Sequence, residues 1–183
     1  MNNAGVAGTP YTKTIDGNEL QFQTNYLGHF LLTELLLPLI QRSGTKNHQS
    51  RILNVSSEAH RFGFIMWHDL NATRFYNSSA AYAQSKLAQV LHTKALARKL
   101  EVCFLIIGET FSREKILYFY VYQQTNTSVY CIHPGAVMTN LFNHWMTSSF
   151  ARMMVPFIEP IMKTPWHGAQ TILYCLLEDA IGK

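Results

Sequence analysis

With 183 residues, 48% of them hydrophobic and 14% charged, the chain has the makeup of one folded domain with a sizeable core, which excludes intrinsic disorder. Its net charge of +4 comes from scattered lysines and arginines, which argues against nucleic acid as the main partner. Cys103, Cys131 and Cys175 show no short paired spacing and the eight histidines are dispersed, so neither a disulfide framework nor a metal site is expected.

The chain opens "MNNAGVAGTP", which reads as the corner between a strand and a loop, with no basic flank or apolar run of a signal peptide. Residues 16–42 are predicted to be a helix. Asp16 would cap it, and Leu20, Phe22, Tyr26, Leu27, Phe30, Leu31 and Leu35 recur at helical spacing. The longest apolar stretch, "FLLTELLLPLI" (30–40), contains Glu34 and Pro38 and is well short of the roughly 20 residues of a spanning helix. Cytoplasmic or membrane-peripheral placement is therefore expected.

A polar, turn-rich connection leads to "RILNVSS" (51–57), a short buried strand that ends in two hydroxyl residues. Residues 58–78, rich in His, Asn and aromatics, read as a loop on the functional side. A second long helix is predicted from about Ser79 to Leu100, and "SVYCIHPG" (128–135) is a further apolar strand broken by Pro-Gly. Helix, strand, helix, strand in that order implies an α/β fold on a parallel sheet. Beyond it, Phe142, Trp145, Met146, Phe150, Met153, Met154, Phe157 and Ile158 fall on one helical face. That face suits core packing, a lid over an apolar ligand, or contact with a membrane surface.

Inside the second helix, "SSAAYAQSKLAQV" places Tyr82 four residues before Lys86. Residues so spaced share a face, with Cβ atoms about 5–6 Å apart. An ammonium beside a phenol favours the phenolate and makes the tyrosine a usable acid or base. Alone, the pair also fits an exposed helix face. Ser57, at the end of the preceding strand and 25 positions before Tyr82, adds a hydroxyl at the edge where open α/β sheets bind ligands.

Taken together, "NNAGV", "TNYLGHFLLT", "RILNVSSEAHRF", "YAQSKLAQVLHTKALARKL", "SVYCIHPGAVMTNL" and "GAQTILYC" resemble the short-chain dehydrogenase/reductase family, in its branch of retinol dehydrogenases and the WW-domain oxidoreductase. The resemblance implies a partial doubly wound, Rossmann-like parallel sheet with flanking helices, lacking the first three strands and the last. It implies Tyr82 as catalytic acid/base, and Lys86 as the cation that tunes it and bonds the nicotinamide ribose. Ser57 would orient the substrate oxygen and Asn25 would hold a relay water. Asn3, Ala4 and Gly5 would line the adenosine side of the cofactor, and Pro134, Gly135, Val137 and Thr139 the nicotinamide end. The cofactor implied is NADP(H), with NAD(H) not excluded. The substrate implied is an apolar alcohol, aldehyde or ketone such as a retinoid.

Two departures stand beside the resemblance. No Gly-x-x-x-Gly-x-Gly occurs in the sequence, so the helix N-terminus that would receive a pyrophosphate is not encoded here. Residues 102–124, "VCFLIIGETFSREKILYFYVYQQ", match nothing in the family pattern. They read either as an intron translated in frame, or as an inserted strand pair whose "ILYFYVY" is prone to aggregate when exposed. The expectation is a single partial domain over 1–183, of marginal stability and weak NADP(H) affinity. Its activity is open to question, and a non-catalytic isoform pairing with itself or a full-length homologue through helices 16–42 and 79–101 is the alternative.

Overall fold

The computed structural model describes residues 1–100, 104–109, 115–120, 126–135, 137, 139, 141 and 162–177. Among the described residues four strands form one sheet in the order β1-β4-β2-β3, where β1 is Ser50–Val55, β2 Phe104–Glu109, β3 Lys115–Tyr120 and β4 Thr127–His133. β1 and β4 run parallel with Ile52 opposite Val129, and β4 runs parallel to β2 with Cys131 opposite Ile106. β3 returns antiparallel on β2, Glu109 facing Lys115. The β2–β3 hairpin lies within 102–124, so part of that segment forms the strand pair that one of its two readings expects. The amphipathic run at 142–158 lies outside the described residues.

Strand alternation divides the core in two. Ile52, Val129 and Cys131 pack on one side against Leu37 of helix α2 (Gly28–Ser43) and against Val90, Leu96, Ala97 and Leu100 of α3 (Ser78–Leu100). Leu53, Val55, Tyr130 and Ile132 point the other way, onto Ile172 and Cys175 of α4 (Pro165–Leu177). Every described residue of β4 is buried, as expected of a strand covered on both faces. The Arg51 guanidinium donates to the carbonyls of Cys175 and Leu176, placing a cation on the C-terminal end of α4, where the helix dipole favours one.

The predicted helix over 16–42 is real but built differently. It starts at Leu20 with a short α-helical turn, α1 (Leu20–Phe22), passes through a π-helical turn over Gln23–Leu27, and continues as α2. Its cap is Glu19, not Asp16: the Glu19 carboxylate accepts from the amides of Gln21 (2.9 Å) and Phe22 (2.7 Å). Asp16 instead accepts from the side chain of Gln23 across the exposed turn before the helix. Glutamate is not the usual capping residue, which is why sequence pattern favoured the aspartate. The motif "GAQTILYC" falls within helix α4.

The N-terminal corner is tied to the sheet. Asn2 bridges Asn54 in parallel fashion, its amide donating to Leu53 O (2.7 Å) and its carbonyl accepting from Val55 N (3.0 Å). Its side chain donates to Asn54 Oδ1 (2.7 Å) and Thr33 Oγ1 (2.9 Å), and Asn54 in turn donates to Thr93 Oγ1 (2.8 Å). Asn54 is fully buried, so these bonds satisfy groups that water cannot reach. Asn54→Ala would orphan Asn2, and is expected to cost about 1–3 kcal/mol. Urea unfolding followed by far-ultraviolet circular dichroism checks this; an unchanged midpoint would show the network is not structural.

Candidate active site

Three elements converge where β1 ends. β1 delivers Ser56 and Ser57, α3 delivers Tyr82 and Lys86 one turn apart, and the π-helical turn delivers Asn25. Two bonds join strand end to helix: Lys86 Nζ donates to Val55 O (3.0 Å), and Ser56 Oγ donates to Lys86 O (2.9 Å). Ser57 sits in extended backbone and caps the 3-10 turn Glu58–Phe62, accepting from Ala59 N at 3.3 Å. Its side chain is close enough to the Tyr82 phenol to act against that phenol's rise. Tyr82, Lys86 and Ser57 therefore form one group, with Tyr82 and Lys86 6% and 4% exposed.

The electrostatics differ from the simplest expectation. Burial pushes the Tyr82 phenol up, and the Ser57 side chain acts in the opposite sense. Lys86 Nζ lies 5.7 Å from the Tyr82 ring centroid, over the ring. Burial also brings the lysine down to about 8, and the phenol stands above its ordinary value, not below it as the spacing predicts. At neutral pH the phenol is protonated and the ammonium still largely charged. Cys131, beneath them, is pushed up to about 12 by complete burial and remains a thiol.

Asn25 is fully buried and its amide is committed. Oδ1 accepts from Val6 N (2.8 Å), while Nδ2 donates to Val6 O (3.0 Å) and Ser85 Oγ (2.9 Å). The π turn is what aims this side chain out of the helix and into the 3–8 corner, a device common at functional sites. Gly5 is held close by the same corner. A Cβ there would meet Asn25 Oδ1 at 3.3 Å and Lys86 Nζ at 3.7 Å, so a bare backbone brings the opening loop up to the lysine.

The remaining expected positions are arranged less tightly. Asn3 and Ala4 are exposed beside Gly5. Pro134 and Gly135 follow β4 directly, with Gly135 at φ +82°, a turn conformation that glycine tolerates. Val137 bridges Lys163 and packs on Gly168 of α4, and Thr139 is exposed and makes a local bond to Leu141 N (3.4 Å). The structure thus brings Ser57, Tyr82, Lys86, Asn25 and Gly5 together, and leaves Val137 and Thr139 on the segment leading to α4.

Sequence reasoning missed Glu58 and His133. His133 ends β4, is buried, and lies 3.1 Å from a Glu58 carboxylate oxygen; Glu58 also pairs with Arg61 at 2.9 Å. The contact brings the turn after Ser57 next to the end of the neighbouring strand. The quoted "SSEAHRF" and "CIHPG" contained both residues, but only the sheet register shows that they meet.

The buried lysine gives a pH signature. Its folded-state pKa lies below its unfolded value, so below pH 8 burial of the charge costs stability, and the cost fades as pH rises through 8 toward 10.5. The stability difference between the unaltered chain and Lys86→Met should therefore move in favour of the unaltered chain by about 2 kcal/mol between pH 7 and pH 10. Denaturant unfolding at both pH values measures it, and a flat difference would show that the ammonium is solvated.

No family model matches the chain. Retinol dehydrogenase 11 of Homo sapiens is 41% identical over 181 residues, which is 99% of this chain and 48% of that protein. Retinol dehydrogenase 14 of Mus musculus is 43% identical over 175 residues, 95% of this chain and 45% of that protein. The chain thus spans about half the length of the curated relatives it matches. Among solved structures, an uncharacterized protein from Mycobacterium Paratuberculosis superposes with TM-score 0.61 at 33% identity, covering 99% of this chain and 50% of the other. A short chain dehydrogenase from Salmonella enterica serovar Typhi gives TM-score 0.57 at 21% identity, covering 99% and 57%. The RhlG/NADP active-site complex of Pseudomonas aeruginosa gives 0.55 at 21%, covering 95% and 57%.

Proposed function

We propose that this chain, homologous to retinol dehydrogenases along nearly its whole length, carries the catalytic half of a nicotinamide-dependent oxidoreductase acting on an apolar alcohol or carbonyl compound such as a retinoid. The observation that supports it most is the pair of buried side chains Tyr82 and Lys86, with the half-buried Ser57 beside the phenol at the end of β1. Tyr82 Oη gives a proton to the substrate oxygen when a carbonyl is reduced and takes one when an alcohol is oxidised. Ser57 Oγ, next to that phenol, orients the same oxygen. A phenol kept protonated at neutral pH is poised for the reducing direction.

The residues present suit one end of a dinucleotide. The Lys86 ammonium is buried yet makes one hydrogen bond among the described residues, to Val55 O, so two of its N–H donors are left for ribose hydroxyls. Gly5 approaches it on one side with Asn3 and Ala4 preceding it in the chain, and Pro134, Gly135, Val137 and Thr139 follow the next strand. The cofactor, NADP(H) by resemblance, supplies the hydride when bound. Nothing in the sequence supplies the glycine turn for its pyrophosphate. Asn25 acts through the corner it pins and is a positioning residue.

Consumption of NADPH at saturating concentration with a retinaldehyde substrate tests the reading. Tyr82→Phe should lower the rate about 10²- to 10⁴-fold, and an unchanged rate would overturn the assignment. Calorimetric titration with NADPH should show binding weaker than micromolar. A micromolar Kd would mean that the pyrophosphate is held by residues other than the missing glycine turn.

A second reading is favoured by α2. Leu31, Leu32, Leu35, Leu36 and Leu39 are exposed along its outer side, Leu35 at 70%. An apolar helix face of this kind suits a non-catalytic role in which the chain packs on a full-length homologue. Co-purification with an intact relative, lost in Leu35→Glu, would support it.

A further inference from the structure

We propose that β3 is a self-association edge, through which two copies of this chain join antiparallel about a two-fold axis into one eight-stranded sheet. Among the described residues β3 ends the sheet order, paired by β2 on one side. A strand at a sheet edge offers its outer row of backbone donors and acceptors to a further strand. The occupant follows from self-complementarity. An antiparallel pairing of β3 with its own copy sets Lys115 opposite Tyr120, Ile116 opposite Phe119 and Leu117 opposite Tyr118, and the same register is read from either copy.

Charge and composition agree with that register. From Ile116 to Gln124 the sequence holds no charged residue, no proline and no glycine, so none of the usual devices that blunt an edge is encoded. The charge that β3 does carry, Lys115, falls at the outer end of the pair. The two copies of Lys115 would stand about 17 Å apart along the strands, five residue steps of about 3.4 Å, beyond the screening length of about 8 Å at physiological salt. The register sets β-branched Ile116 opposite aromatic Phe119, a cross-strand pairing that favours a ladder. The arrangement closes at two copies, because each uses its β3 edge once.

Sedimentation of the full chain across a concentration series tests the proposal, using a double variant, Ile116→Lys with Phe119→Lys. That variant places lysines directly opposite one another at both ends of the new pair. Within the hairpin it sets them opposite Gly108 and Leu105, where no charge resists them. The unaltered chain should dimerise, the double variant should associate at least about tenfold more weakly, and Leu35→Glu on α2 should leave the dimer intact. A chain that stays monomeric at all concentrations, a dimer lost in Leu35→Glu but kept in the double variant, or growth beyond two copies would each overturn it. Hydrogen exchange on the unaltered chain covers the case in which the double variant fails to fold. Amides of 115–120 should gain protection as concentration rises while those of 50–55 do not, and equal protection at all concentrations would refute the β3 interface.

Discussion

The bond from Lys86 Nζ to Val55 O is the constraint on which the site depends. A lysine ammonium is costly to bury, and here the strand's last carbonyl is the acceptor that makes it tolerable. That contact fixes how far α3 can slide along the end of β1. Ser56, bonding back to the Lys86 carbonyl, locks the same junction from the other side. Once the junction is set, Tyr82 one turn earlier is brought to the strand end that carries Ser57. The geometry of the candidate site is thus a consequence of how a strand end is joined to a helix.

The same economy explains the opening corner. Asn25 bonds both the amide and the carbonyl of Val6, reading the backbone as a neighbouring strand would. Asn2 does the same against β1 and adds a buried side-chain ladder to Thr33, Asn54 and Thr93. Loops at ligand-binding edges are usually mobile. This one is held at two points four residues apart, and between them Gly5 lets the chain pass close to Lys86.

Much of this was legible in the sequence because the chemistry is local. Tyr82 and Lys86 share a helix and Ser57 ends a strand, so spacing suggested the group and the family resemblance singled it out. The order of helix and strand also revealed the parallel pair β1–β4. What escaped depends on distant partners. Glu19 as cap needed the turn that sends Asp16 outward, and the π turn at Asn25 has no sequence pattern apart from the contacts that stabilise it. Glu58 and His133 meet only because β1 and β4 are in register at Val55 and Ile132. The direction of the Tyr82 shift was misjudged for a related reason. Spacing reports proximity to a charge, whereas burial, which dominates here, is a property of the finished fold.

The balance of charges at the site then has a physical logic. Tyr82 raised and Lys86 lowered are both responses to one dry environment, and each move makes the pair less charged. A bound ligand whose hydroxyls take the free ammonium donors would restore to Lys86 what burial removed, by hydrogen-bonding to its charged form. A lysine so restored is the cation that would bring the tyrosine toward the phenolate. The tuning expected from Tyr-x-x-x-Lys would then depend on what occupies the site as well as on the helix that carries the pair.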